Sequence, residues 1–269
     1  MTNKTEIDIN LDEARSAEPE VVLSAAEEAA LKTMIENHVF YGHTKSKTNP
    51  KMRANILSTK SGVEIIDLMR TMKQLEVAYT FIKEKVKSGG SVLFVGTTPA
   101  TKITTKETAI RLGMPYVVER WLGGTLTNFK TISTRVNHFK KLLEDRAAGR
   151  LQKYTKKERL DIDVELAKMD KFFSGVVSMD RLPAAVVITD LGAGNIVADE
   201  ARITKVPSVA FVNTNCDPDK VNFAIASNDR NSKSVVFLLA QIEKAVKDGV
   251  AARAAVAAAA APARVEQKH

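Results

Sequence analysis

The chain has 269 residues, 44% of them hydrophobic, with a formal net charge of +8 and a single cysteine, Cys216. That length suits one large α/β domain, or one domain with an appendage. Its apolar runs fall well short of the ~20 residues a membrane-spanning helix needs, and one cysteine excludes an internal disulfide.

The acidic N-terminus has neither the apolar core of a secretory signal nor the arginines of a transit peptide. Four scattered histidines, His38, His43, His138 and His269, lack metal-ligand spacing. Residues 1–30 carry eight acidic side chains against two basic ones, a net −6, which leaves +14 on residues 31–269. A body that basic prefers polyanions, of which nucleic acid is the commonest in cytoplasm.

Residues 1–20 are polar, acidic and aperiodic, the composition of a disordered extension, and residues 1–30 are set apart from the domain on that ground. "VVLSAAEEAALKTMIEN", 21–37, has helical composition. Residues 41–56, "YGHTKSKTNPKMRANI", are basic and irregular, with turn signals at Gly42 and Asn49-Pro50. From 61 onward a β-α rhythm sets in. "VEIID", 63–67, reads as a strand. Leu68, Met72, Leu75, Tyr79, Ile82 and Val86 then recur at steps of four and three, one face of a helix. Asp67 is placed to cap it and Ser88-Gly89-Gly90 to end it. "SVLFV", 91–95, is the continuous apolar run of a strand covered on both faces. A helix follows from Thr98-Pro99 to Gly113, then a short strand, "PYVV", 115–118.

After the glycine loop "ERWLGGTLTNF", 119–129, the rhythm breaks. Ile132, Val136, Phe139 and Leu143 form one narrow apolar stripe, and Ile162, Leu166, Met169 and Phe173 another. Thr155 and Glu158 make a capping box that opens the second helix. The pattern predicts a helical hairpin inserted at about 130–178, each stripe partnering the other. Residues 135–160 hold nine basic and three acidic side chains. Such an arm is expected to be removable without loss of the domain. The rhythm resumes with "AAVVITD", 184–190, a helix after Asn195, "PSVAFVNT", 207–214, a short strand near 221–226 and a helix near 231–248 ended by Gly249. The domain is therefore expected to span 31–249, and 250–269 to be an alanine-rich disordered tail. Alternating strands and helices imply a doubly wound parallel sheet of α/β class.

Ligands bind such sheets beyond the carboxyl ends of the strands, so those loops are the candidates for chemistry. "GTTPATKI", 96–103, keeps the lysine of a nucleotide phosphate loop, Lys102. It has Thr101 at the second glycine and Ile103 at the magnesium-binding hydroxyl, which argues against NTP hydrolysis. "DLGAGNIV", 190–197, starts like a dinucleotide fingerprint but has Val197 at the third glycine. Gly192 and Gly194 are expected to supply positive φ in a tight turn. Asp190, Asp217, Asp219 and Asp229 are placed in sequence so that they can converge on one edge of the sheet. Paired carboxylates can hold a metal, but Asp and Asn also start turns and cap helices, and no metal is expected here. Cys216 has no base near it in sequence.

Five segments in order resemble the bacterial small-subunit ribosomal protein S2 family: "VFYGHTKSKTNPKM", 39–52, "VEIIDLMRTMKQLEVA", 63–78, "VLFVGT", 92–97, "GMPYVVERWLGGTLTNFKTI", 113–132, and "VNTNCDPD", 212–219. The resemblance covers roughly 33–247. It implies a flavodoxin-like sheet with a protruding antiparallel coiled-coil hairpin, bound to small-subunit rRNA and catalytically inert, with no cofactor, membrane or small-molecule substrate. It also implies neighbouring ribosomal proteins as partners, and help in docking the largest small-subunit protein, which captures mRNA. Val39-Phe40-Tyr41 lacks the histidine of the family pattern, and "DLGAGN", 190–195, replaces a more polar Asp/His-bearing stretch. The second departure counts against a metal at the sheet edge. The expected rRNA contacts are Lys45, Lys47, Lys51, Arg53, Lys102, Arg120, Asn128, Lys130, Lys140 and Lys141. Trp121, Gly123 and Gly124 are expected to anchor the loop, the indole by packing rather than base stacking. Asn128 either caps the hairpin or contacts RNA. The alternative is a sugar-phosphate- or nucleotide-binding enzyme on the same fold.

Overall fold

The computed structural model describes residues 24–260; the acidic segment before Ser24 and the last nine residues lie outside them. Helix α1 (Ala25–Glu36) opens at Ser24. The Ser24 hydroxyl accepts from the Glu27 amide and the Glu27 carboxylate accepts from the Ser24 amide, a complete capping box. Order therefore begins before residue 31.

The stretch that reads as irregular is a small sheet. Strands β1 (Tyr41–Thr44) and β2 (Ile56–Lys60) flank β3 (Val63–Ile66), both antiparallel to it. The run at 63–67 is thus a strand, as expected, but it sits outside the parallel sheet. Helix α2 (Leu68–Lys87) follows. The Asp67 carboxylate accepts from the amides of Met69 and Arg70, and the chain turns out at Gly89 with φ +83°.

Strands β4 (Val92–Val95), β5 (Tyr116–Val117), β6 (Ala185–Ile188), β7 (Ser208–Val212) and β8 (Phe223–Ala226) form the main sheet, all parallel, in the order β5-β4-β6-β7-β8. Numbered within that sheet the order is 2-1-3-4-5, the flavodoxin-like doubly wound arrangement. Their side chains alternate between two buried clusters. Leu93, Val95, Val186, Ile188, Ala210 and Val212 face one side. Val92, Phe94, Ala185, Val187, Val209 and Phe211 face the other. The second side is covered by α1, α2, Ala109 of α3 (Pro99–Leu112), and α7 (Ser232–Ala260). The first is covered by α6 (Asn195–Ile203) and by α4 (Phe129–Ala147) with α5 (Lys156–Phe173). A sheet covered on both faces explains why its strands read as unbroken apolar runs.

Two glycine roles differ from expectation. Gly249 does not end the last helix; α7 runs through it to Ala260. A β-carbon at Gly249 would stand 2.8 Å from both the Lys83 carbonyl oxygen and Val86 Cβ. The glycine lets α7 cross close over α2, and the alanines beyond it have the propensity to extend the helix. Gly192 and Gly194 are also not at positive φ. Gly194 sits at φ −88° as the residue before α6, where a β-carbon would lie 2.4 Å from Ile188 Cγ2. Its reason is space, not backbone handedness.

The two hairpin helices are present, with the Thr155/Glu158 capping box fully formed, but they do not stand apart from the core. Val136, Phe139, Leu166, Met169 and Phe173 belong to the same buried cluster as Leu93 and Ile188. Gly175, in the turn after α5, closes on edge strand β5, where a β-carbon would meet the Tyr116 carbonyl at 2.1 Å. Toward the tip the stripe rotates. Leu143 is 40% exposed and Leu160 64%, while Leu142 is the one that packs inward.

The hairpin is therefore divisible rather than removable. Replacing residues 144–159 with a short glycine–serine turn should leave the melting temperature within a few degrees. Replacing 135–175 removes five buried side chains, each worth about 2–5 kcal/mol on truncation, against a total stability on the order of 5–15 kcal/mol. Thermal circular dichroism should then show no cooperative transition. A cooperative melt from the longer deletion would mean the root is not part of the core.

Candidate nucleic-acid interface

In a 2-1-3-4-5 sheet the ligand crevice lies between β4 and β6, at their carboxyl ends. In this chain protein hydroxyls fill that position. A β-carbon on Gly96 would lie 2.4 Å from Thr105 Oγ1 and 2.5 Å from Thr189 Oγ1. Thr101, Thr105 and Thr189 are fully buried. Thr189 Oγ1 donates to the Val95 carbonyl at 3.1 Å and lies 3.3 Å from Thr105 Oγ1. Thr101 bonds its hydroxyl to that of Thr98 at 2.9 Å inside the first turn of α3. Lys102, the residue that matches a phosphate-loop lysine, pairs with Glu119 at 2.5 Å, and this cation holds the Glu119 carboxyl below its ordinary range.

The tryptophan loop is organised by a residue that sequence reading missed, Glu200 on α6. Glu200 Oε1 accepts from Trp121 Nε1 at 2.9 Å and from the Gly124 amide at 2.8 Å. Oε2 accepts from the Leu126 amide at 2.9 Å, the Thr127 amide at 3.3 Å and the Thr127 hydroxyl at 3.4 Å. Burial pushes the carboxyl up, but the indole and the three amides outweigh it and leave the group below the ordinary range. Gly124, at φ +90°, supplies the left-handed turn that aims these amides inward. The loop is thus an anion cradle of the kind that binds phosphate, occupied by the protein's own carboxylate. One signal existed: Val197, Ala198 and Ala201 define the buried face of α6, and Glu200 lies on it, where an unpaired charge is not tolerated.

Trp121 is buried with its ring in the core cluster, the anchoring role expected of it. Gly123 is exposed, and a β-carbon there would meet nothing within 4 Å. Asn128 occupies the N-terminal position of α4 without capping its backbone; its Oδ1 accepts instead from the Thr131 hydroxyl at 2.7 Å.

The acidic edge divides in two. Asp190 and Asp229 come into hydrogen-bonding contact, with Asn213 Nδ2 donating to Asp229 Oδ1 at 2.7 Å. Burial first, then Asp190, push the Asp229 carboxyl up to about 7. Asp190 also closes its own turn, accepting from the Ala193 amide at 3.2 Å. Asp217 stands with Asp219 instead. Both hold Lys51, at 2.8 and 2.9 Å, and Asp217 caps the Pro218–Lys220 turn. Among the described residues no three His, Cys, Asp or Glu side chains group as a metal site would require. The Cys216 thiol is pushed up to about 12 by burial and by Asp229 and Asp190, the opposite of what a nucleophile needs.

The basic candidates fall on several elements. Lys45 and Lys47 are exposed on one 3-10 turn, and Lys51 and Arg53 on the next. The Asn49 amide donates to the Thr214 carbonyl at 2.8 Å, and Met52 is fully buried in the cluster that also holds Trp121 and Cys216. These contacts fasten the stretch to the loops at the carboxyl edge. Arg120 and Lys130 are exposed on either side of the tryptophan loop. Lys140 lies 3.6 Å from Asp180, and Lys141 is exposed on α4. Lys51 and Lys102 differ from the rest in being drawn into short ion pairs. Among the described residues no helix is long and apolar enough to cross a membrane.

The family model described as "Ribosomal protein S2" matches residues 34–249. Similar proteins named "Small ribosomal subunit protein uS2" include one from Roseiflexus sp. (strain RS-1), 42% identical over 220 residues, covering 82% of this chain and 84% of the relative. One from Coprothermobacter proteolyticus is 41% identical over 219 residues, covering 81% and 82%. One from Acidothermus cellulolyticus is 42% identical over 229 residues, covering 85% and 83%.

Proposed function

The chain belongs to the ribosomal protein S2 family, and from that premise we propose how it meets its ribosome. It is a structural protein of the small ribosomal subunit, not an enzyme. It works on the cytoplasmic ribosome, in association with small-subunit rRNA and other ribosomal proteins. The observation that carries the rest is the carboxyl edge itself, where the crevice used by enzymes of this fold is filled by Thr105 and Thr189 and the exposed basic stretch at 45–53 is fastened beside it through Thr214.

Lys45, Lys47, Arg53, Arg120, Lys130 and Lys141 neutralise phosphates, reading RNA shape more than sequence. Lys51 and Lys102 contribute less, since an RNA phosphate has to displace the carboxylates they already hold. Lys140 and Asn128 lie at the margin of the same surface. The root of the hairpin fixes α4 relative to the sheet, so Lys141 and the tryptophan loop move as one body. Docking of the largest small-subunit protein, the one that captures mRNA, is a second role of this chain within the subunit. Support for it comes from the family alone.

Replacing Lys45, Lys47 and Arg53 together by alanine should weaken binding to small subunits depleted of this protein. Each lost phosphate contact lowers the salt slope of log affinity by roughly 0.7–0.9, so the triple variant should lose about 2–3. An unchanged slope would mean that this stretch is a solvated face.

A further inference from the structure

The loop at 120–130 commits its inward-pointing donors to one carboxylate. The indole N–H and the amides of Gly124, Leu126 and Thr127 all end on Glu200. What the loop presents is a rigid rim, with Arg120 and Lys130 at its two ends and the bare backbone of Gly123 between them. Gly123 has neither a positive φ nor a neighbour within 4 Å of a β-carbon. Nothing inside the molecule crowds this backbone, so a partner surface can approach it closely.

We propose that Glu200 is a positioning residue for rRNA docking: it acts as an internal anion that locks the loop so that Arg120, Gly123 and Lys130 meet the RNA together. The proposal rests on the reading above that this loop faces rRNA. The two halves of the carboxylate hold different parts of the loop. Oε1 fixes Trp121 and Gly124, and Oε2 fixes Leu126 and Thr127, next to the start of α4. In Glu200→Gln one oxygen still accepts, but the amide nitrogen faces two backbone donors. One half of the loop is then released while the Trp121 side is kept.

The test uses the full chain and small subunits depleted of this protein. Arg120→Ala/Lys130→Ala should weaken binding about 10-fold and flatten the salt slope by roughly 1.5. Glu200→Gln should also weaken binding about 10-fold, yet have a much smaller effect when added to that double variant, where only the Gly123 contact is left to lose, since residues acting as a unit are non-additive. Gly123→Val should weaken binding at least as much with an unchanged melting temperature, a result that a purely structural role cannot give. If Glu200→Gln does not fold, Trp121→Phe, which removes one donor to Oε1, takes its place in the cycle. Full binding by the double variant overturns the reading that this loop meets RNA. Weakened binding by the double variant, with an additive or absent effect of Glu200→Gln, overturns the role of Glu200 alone. Unchanged binding by Gly123→Val overturns the open face.

Discussion

Glu200→Ala is expected to lower the unfolding free energy by roughly 3–5 kcal/mol, the cost of leaving a buried charged network without one partner. The carboxylate receives five hydrogen bonds, from the Trp121 indole, three backbone amides and the Thr127 hydroxyl. Truncation leaves these donors facing one another around a void. Each buried donor without a partner costs about 1–3 kcal/mol, and water entering the cavity recovers part of the sum. For a domain of this size about 4 kcal/mol corresponds to a fall in Tm of roughly 10 °C. Differential scanning calorimetry on the full chain checks it. Glu200→Gln should fall between the two proteins, because one amide oxygen still serves Trp121 and Gly124. The pH dependence has a definite sign. The folded carboxyl lies below its ordinary range, so its stabilisation is present above the unfolded value of about 4.3 and is lost as pH falls through the lower folded value. A Glu200→Ala protein as stable as the parent would mean that the loop finds other acceptors at no cost.

What the sequence made legible follows from how local each signal is. Thr98-Pro99 and Gly113 bracket α3 because capping, proline geometry and the left-handed turn at Gly113, φ +63°, act over one helical turn. The three inner parallel strands, β4, β6 and β7, were visible as apolar runs because both of their faces are buried. The small antiparallel sheet was not visible. "YGHT" and "ILSTK" are half exposed and become strands only by pairing with β3. Gly249 read as a stop because glycine usually is one. Its true neighbours, Lys83 and Val86, lie on α2, far away in sequence. The hairpin stripes were found, but not that their lower halves face a sheet and not only each other. The basic rim was legible as composition and as resemblance. Its internal anchor was not, since Glu200 is separated from its loop by more than 70 residues, and no local pattern carries that contact. A carboxylate within the buried face of a short helix is the one mark it leaves.

That separation governs another buried carboxylate too, with the opposite sign. Asp229, at the turn before α7, is 4% exposed. Asp190 faces it from the end of β6, Cys216 from the loop after β7, and Asn213 is its hydrogen-bond donor. One amide donor does not compensate burial beside a second carboxylate, so the Asp229 carboxyl is pushed up to about 7. The unfolded value is about 3.9. Between these two pH values the folded chain holds a proton that the unfolded chain releases, and stability falls as pH rises. The contribution is fully present below about pH 4 and lost above pH 7. Its ceiling is about 4 kcal/mol at 1.36 kcal/mol per pH unit. Asp229→Asn removes the titrating group and keeps its size. It should raise stability at pH 8 by roughly 2–4 kcal/mol and flatten the slope between pH 4 and 7, as read by urea unfolding at several pH values. Asp190→Asn should act in the same direction but less, since burial rather than Asp190 is the larger cause. Equal stability of Asp229→Asn and the parent at pH 8 would mean that the two carboxylates are both charged and tolerated there. A loss at every pH would mean that an amide cannot replace the carboxyl in its contacts with Asn213 and Asp190, which hold the loop that follows β7 against the one that precedes α7.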